Sequence, residues 1–445
     1  MSPSSMSTSE ADLITDIASH PRGRVLISAF VFSPHRGSEP GIGWNIASRL
    51  AAYHDVTILC CPKLGIENYR QEMEEYLKKN AAVSGMEVCY IEPPLLSRLL
   101  QKPLISFTTP LYFVGYAAWQ RAAFAQAKRL HHQRAFDLAH QLTFTGFREP
   151  GYLWKLGIPF VWGPVAGASD VPWSYFKMLS WRDRLFYGLK NIINAAHKRF
   201  KARARRAARA AKHIFVTTDN DQALISRRWG FESQIMLDTG APELEGRVRE
   251  YDGRRPLRLI WSGLHVGRKA LPLLLMAAAE LKREFSERRF ELIILGGGKQ
   301  SEPWQAMARQ LEIDDLITWT GQIPLQPALD EMRKVDVFIF TSVQEGTSTV
   351  VMESLALGLP VICHDACGMG VAVTEMCGIK VPMRGPRISE AGFAAAIRSL
   401  LASPQRVAAL SAGALARAQE LTWDRKAREI AAAYDSVLRR APKVD

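Results

Sequence analysis

Short apolar runs, each followed by a turn of small residues and then a stretch of helical periodicity, recur along the whole chain. In the first half they are Arg24–Phe30, Val56–Cys60, Glu87–Ile91, Phe136–His140, Pro159–Trp162 and His213–Thr217. In the second half they are Arg258–Ser262, Glu291–Leu295, Ile317–Thr320, Asp336–Thr341 and Val361–Cys363. Runs this short and this apolar are strands covered on both faces. Strands that alternate with helices build parallel sheets, because a parallel neighbour is reached only by a crossover. Such sheets hold ligands in the crevice beyond the carboxyl ends of their strands. At 445 residues the chain is long enough for two such domains. Asp238–Glu243 and the mostly polar stretch 245–255 read as the link between them. The expected division is an α/β domain over 22–243, joined by a final helix over 424–441, and a second over 250–423. Residues 1–21, Ser-rich and without a long apolar run, read as a loose tail, neither signal peptide nor anchor.

With 47% hydrophobic and 23% charged residues, wholesale disorder is excluded. Six cysteines without a secreted framework point to reduced thiols and a cytoplasmic address. Residues 103–120 carry no charge, but Ser106, Thr108, Thr109, Pro110 and Gly115 argue against a membrane span. The net charge of +13 is concentrated in Arg182–Lys212, where eleven Lys and Arg face one Asp. Trp173, Tyr175, Phe176, Trp181, Phe186 and Tyr187 lie just before it or at its start. A basic helix with an aromatic apolar face suits an anionic membrane surface. A solvated basic face and a nucleic-acid patch are the alternatives, and no recognised nucleic-acid motif supports the latter.

The most informative stretch is 336–353. Its strand runs into Glu345-Gly346-Thr347-Ser348, and a helix follows from Thr349, stopped by Gly358 and Pro360. The free N–H groups at the helix start form an anion site. Glu353, one turn after Thr349, leans back toward that end, and Glu345 approaches from the loop. Two acceptors flanking a phosphate cradle suit a molecule with phosphates in its middle and hydroxyls at both ends. Arg268 and Lys269 follow another strand and supply cations to the same crevice. Gly296-Gly297-Gly298 permits close approach by a ligand or by backbone. Gly37–Gly43, with Gly41 inside it, lacks the dinucleotide spacing but could lend N–H groups from the opposite domain. His140 ends a strand and either faces the cleft or is a core histidine. Arg148 and Glu149 stand in a loop that could contact an acceptor. Asp219 and Asp221 suit either a divalent cation or, more simply, a helix cap.

With these residues placed, residues 24–440 resemble the retaining glycosyltransferases of family 4. The motif is Glu345-Gly-Thr-Ser-Thr-Val-Val-Met-Glu353 followed by Ser-Leu-Ala-Leu-Gly-Leu-Pro-Val-Ile. Gly37–Trp44 is similar to the family's N-terminal glycine loop, and Trp162–Gly167 to a segment of bacterial exopolysaccharide and lipid-linked glycan members. The resemblance implies a GT-B fold of two facing Rossmann-like domains, with an acceptor-binding first and a donor-binding second. It implies Glu345 at the donor sugar, Glu353 at the ribose, and Arg268 and Lys269 at the diphosphate. Backbone N–H groups around Gly346, Thr347, Ser348 and Thr349 would also bind phosphate, the base would lie near Thr320–Ile323, and His140 would sit near the transferred sugar. Two departures stand out: Leu264 where members carry arginine, and His140-Gln141-Leu142 in place of His-x-His.

The expected activity is metal-independent, cofactor-free hexosyl transfer, with retention, from a nucleotide-sugar such as a UDP- or GDP-sugar. The acceptor would be a glycan or lipid-linked hydroxyl in cell-surface polysaccharide or glycolipid synthesis, at the inner face of the membrane. No nucleic-acid partner is expected. The alternatives are a sugar-nucleotide epimerase, a glycan phosphorylase, or a non-catalytic membrane-surface protein.

Overall fold

The computed structural model describes residues 22–100, 110–285 and 287–440. The first sheet contains β1 (Arg24–Ser28), β2 (Asp55–Cys60), β3 (Met86–Tyr90), β4 (Leu138–Gln141), β5 (Phe160–Val165), β6 (His213–Val216) and β7 (Gln234–Ile235). The second contains β8 (Leu257–Ser262), β9 (Phe290–Leu295), β10 (Ile317–Gly321), β11 (Val337–Phe340), β12 (Val361–His364) and β13 (Gly378–Val381). Strand order is 3-2-1-4-5-6-7 in one and 10-9-8-11-12-13 in the other, and the pairings are parallel. Both sheets are therefore Rossmann-like, with the order reversing beside β1 and β8. β4, β5, β11 and β12 are buried along their whole length, as double-sided cover requires. β7 and β13 were not among the expected runs: one is two residues long, and the other contains Gly378 and Lys380 at an edge.

The chain crosses between domains at more than the linker. Val171, Tyr175, Leu179 and Tyr187 leave the first domain and bury themselves with Leu257, Trp261 and Phe393 in the core of the second. There the Tyr175 hydroxyl lies 2.7 Å from Ser389 Oγ, which lies 2.8 Å from His364 Nε2. In return, the Trp423–Arg440 helix packs Ile430, Tyr434 and Val437 against Val25, Ile58 and Phe215 of the first domain. The polar link is not loose. Arg249 is buried and donates to the carbonyls of Arg333 (2.5 Å) and Leu357 (2.8 Å), so its charge ends on backbone oxygens.

The basic segment forms two helices, Trp181–Phe200 and Ala202–Ala210. Trp181, Leu185, Leu189 and Ile192 lie along one face of the first at helical spacing, 57–70% exposed. Three of the segment's cations point inward: Lys198 pairs with Asp170, and Lys201 and Arg203 pair with Glu149. Among the described residues no helix is long and apolar enough to cross a membrane.

Candidate active site

β11 ends at Phe340, and its loop meets the short turn after β8. Thr341 Oγ1 donates to the Lys269 carbonyl at 2.8 Å, and the Val343 amide to the Arg268 carbonyl at 2.9 Å. This stitching brings both cations onto one carboxylate. Glu345 Oε1 lies 2.7 Å from Lys269 Nζ and accepts from Arg268 Nη1 and, at 3.0 Å, from Ser342 Oγ. Lys269 is buried, its ammonium 4.6 Å above the Phe340 ring. Burial opposes the charge of Glu345, but Lys269 and Arg268 prevail and hold its carboxyl below the usual range. Burial also pulls the Lys269 ammonium down.

The helix Thr349–Ala356 starts beyond this cluster. Its N-cap, Ser348, makes no side-chain cap bond, so its first N–H groups are not satisfied by the cap. Glu353 lies on the same face one turn on. Its carboxylate has no hydrogen-bond donor among the described residues, and burial raises its pKa to about 7. The other end of the cradle carries a carboxylate that sequence reasoning missed: Asp238, from the interdomain connection, has Oδ2 3.5 Å from where a Cβ on Gly346 would stand. Burial pushes Asp238 upward, and its field adds to that of Glu39 across the cleft.

The glycines serve backbone packing. A Cβ on Gly296 would lie 2.0 Å from the Gly263 carbonyl oxygen, and one on Gly298 2.7 Å from that of His265, both at positive φ. Gly297, between them, faces Gln322. Ile323 is half-buried at the same rim. Gly41 was expected in an open loop, but the helix begins earlier, at Ser38. Gly41 is buried inside it, where a Cβ would meet the Arg36 carbonyl oxygen at 2.2 Å. Two residues earlier, Glu39 ties this helix to the loop after β4, accepting from the Phe144 and Thr145 amides at 3.1 and 3.2 Å. Burial raises its pKa to about 7.

The first-domain candidates need correction. His140 does not face the cleft. It is fully buried, with Nδ1 2.5 Å from Tyr434 Oη and Nε2 2.7 Å from the Gly163 carbonyl oxygen. Burial lowers its pKa to about 4, so the ring is neutral. The returning C-terminal helix covers the strand end that the sequence left open. Glu149 is buried and spent on Lys201 and Arg203, so it holds the second basic helix rather than an acceptor. Arg148 sits 4.6 Å over the Phe147 ring and donates to Asn194 Oδ1. At Asp219 and Asp221 the cap is supplied by Thr218, not by an aspartate: Thr218 Oγ1 accepts from the Asp221 amide, and the Asp221 carboxylate accepts from the Ala168 amide at 2.8 Å.

Residues 256–403 match the family described as glycosyl transferases group 1. Among curated proteins, a D-inositol 3-phosphate glycosyltransferase from Thermobispora bispora is 33% identical over 189 residues, 40% of this chain and 43% of the relative. One from Streptomyces bingchenggensis is 26% identical over 249 residues, 52% of this chain and 54% of the relative. The chain thus spans about half the length of the curated relatives it matches. Among solved structures, the lipopolysaccharide outer core galactosyltransferase WaaB has a TM-score of 0.61 at 12% identity, covering 92% of this chain and 99% of its own. HepE of Anabaena, solved with UDP, has a TM-score of 0.56 at 13% identity, covering 93% of this chain and 100% of its own. The described fold is therefore that of the GT-B glycosyltransferases, and its second domain is similar to glycosyl transferases group 1.

Proposed function

We propose that the protein transfers a hexose, with retention, from a nucleotide-sugar to a hydroxyl of a glycan or lipid-linked acceptor. One observation carries this reading: Glu345 is kept ionised between Arg268 and Lys269, beside a helix start without a side-chain cap, with the unpartnered Glu353 one turn on. Glu353 accepts the ribose hydroxyls. Arg268, Lys269 and the N–H groups from Ser348 onward take the diphosphate, and Glu345 takes sugar hydroxyls. The bond between the anomeric carbon and the diphosphate breaks, and its electron pair stays on the phosphate oxygen. The acceptor oxygen attacks from the same face, and its proton passes to that phosphate. Two fixed cations and the helix dipole stabilise the leaving charge without a metal. HepE is solved with UDP, which makes UDP-sugars the first donors to try.

The experiment is a thermal-shift panel of UDP-, GDP- and ADP-sugars, followed by nuclear magnetic resonance of the product's anomeric signal. Stabilisation by one nucleotide class and a retained anomer are expected; an inverted product, or no nucleotide binding, overturns the reading. Turnover of nucleotide-sugar without acceptor would instead indicate an epimerase, and a need for free phosphate a phosphorylase.

The exposed Trp181, Leu185, Leu189 and Ile192 stripe, flanked by Arg182, Arg199, Arg205 and Arg206, supports a second element. This face rests on the anionic inner surface of a membrane, where a lipid-linked acceptor of cell-surface glycan synthesis is presented.

A further inference from the structure

The loop that carries Glu345 is held from the first domain at two points. At one, Gln344 Nε2 donates to the Ser169 carbonyl at 2.8 Å, just before the chain leaves for the core of the second domain at Val171. At the other, the contact runs through a buried histidine. β12 ends at His364, beside the end of β11, and its ring is fully buried between Tyr175, at 6.0 Å, and Phe393, at 5.1 Å. His364 Nδ1 lies 3.1 Å from the Ser342 carbonyl oxygen. Its Nε2 lies 2.8 Å from Ser389 Oγ, itself 2.7 Å from the Tyr175 hydroxyl.

These contacts run in one direction. A carbonyl oxygen only accepts, so Nδ1 carries the hydrogen. Nε2 of the neutral ring then accepts from Ser389, whose oxygen is left to accept from Tyr175. Burial keeps the ring neutral by lowering its pKa to about 4. Ser389 and Tyr175 thus fix which nitrogen is protonated, and that proton holds Ser342. Ser342 in turn sends its hydroxyl to Glu345 Oε1 at 3.0 Å, the oxygen that Arg268 and Lys269 also approach. With that oxygen held, the direction of the other follows from where the loop places Ser342.

The two cations set the charge of Glu345, and the loop sets its direction. We propose that His364 is a positioning residue for Glu345, and that the first-domain excursion, through Tyr175 and Ser389, holds the sugar-reading carboxylate of the second domain in its working orientation. This inference rests on the assignment of Glu345 to sugar hydroxyls made above. The donor sugar's contact then depends on a segment of the other domain. A misplaced carboxylate keeps its charge but loses a directional contact. The sugar therefore feels the change and the nucleotide does not.

The test compares UDP with UDP-glucose on the full chain by titration calorimetry. His364→Leu should weaken UDP-glucose about tenfold, the value of one hydrogen bond to a charged group, and leave UDP within about twofold. Ser389→Ala, milder for the fold, should move UDP-glucose the same way by about threefold. His364→Asn puts an amide N–H near the place of Nδ1 and should recover most of the loss. Equal weakening of UDP and UDP-glucose overturns the proposal, and so does a His364→Asn variant no better than His364→Leu, because a histidine that only fills the core would act in this way. A wild-type chain that binds neither ligand, or whose ratio of the two affinities is unmoved by Glu345→Gln, defeats the donor reading instead. The positioning is then read on the free chain by a double-mutant cycle. The melting-temperature losses of His364→Leu and Glu345→Gln should fall short of additive by about 2 °C or more. Additive losses overturn the proposal.

Discussion

Lys269 Nζ and Glu345 Oε1 lie 2.7 Å apart, both nearly buried, with the Arg268 guanidinium on the same oxygen. One carboxylate therefore balances two cations that would otherwise repel each other in a site with little solvent. The arrangement keeps Glu345 charged and leaves the cluster net positive.

Replacing Glu345 with Gln should cost both activity and stability. Turnover should fall by about 10²–10³, as when one preorganised polar contact to the transition state is lost. The free protein should lose about 3 kcal/mol, because two partly buried cations lose their counter-charge. A saturating nucleoside diphosphate should restore much of the melting temperature by supplying negative charge. Calorimetry with and without UDP checks this; an unchanged apo melting temperature would show that the cluster is not under strain.

Glu353→Gln should separate binding from stability. The carboxyl of Glu353 is raised to about 7 in the folded chain, from an ordinary value of 4.5. The folded state thus holds the proton more tightly than the unfolded state, and stability falls as pH rises from about 4.5 to 7. The amide removes that cost. The variant should be more stable than wild type at pH 8, by roughly 2 kcal/mol, and equal to it near pH 4. Its nucleotide affinity should drop about tenfold through loss of the ribose contact. Denaturation at the two pH values, paired with UDP titration, reads both effects.

His140→Ala should act on folding rather than chemistry. It removes two buried hydrogen bonds, to Tyr434 and to Gly163, and leaves a cavity under the C-terminal helix. A loss of about 3 kcal/mol is expected. Measured well below its melting temperature, the variant should keep a near-normal kcat. A large fall in kcat with unchanged stability would return His140 to the reaction.

Serine at Leu185, Leu189 or Ile192 should each weaken binding to anionic vesicles about tenfold, from lost apolar burial. Fold stability should shift by no more than about 0.5 kcal/mol, since these side chains are exposed. Arg203→Ala should do the reverse, because its partner Glu149 is buried. Vesicle co-sedimentation beside thermal melts distinguishes the two sets.

How much could be read beforehand differed between the two domains. The strand before Glu345, the turn and the helix at Thr349 are contiguous in sequence, so their chemistry follows from local spacing. The same holds for Arg268 and Lys269, one turn beyond β8. The first-domain wall is built from pieces far apart in the chain: Glu39 meets Thr145, Arg148 meets Asn194, and Tyr434 caps His140 across nearly 300 positions. No periodicity encodes such meetings.

The sequence by itself determined two parallel α/β domains, through apolar runs that can only be doubly covered strands, and it placed Arg268, Lys269 and Glu345 in loops that follow strand ends. Tertiary structure alone decided which polar groups the cleft keeps. The C-terminal helix buries His140, the basic helices take up Glu149, and the excursion carrying Tyr175 and Tyr187 ends in the core of the second domain. The physical reason is that a side chain's availability depends on what covers it and what neutralises it. Both are set by elements that reach it from elsewhere in the chain.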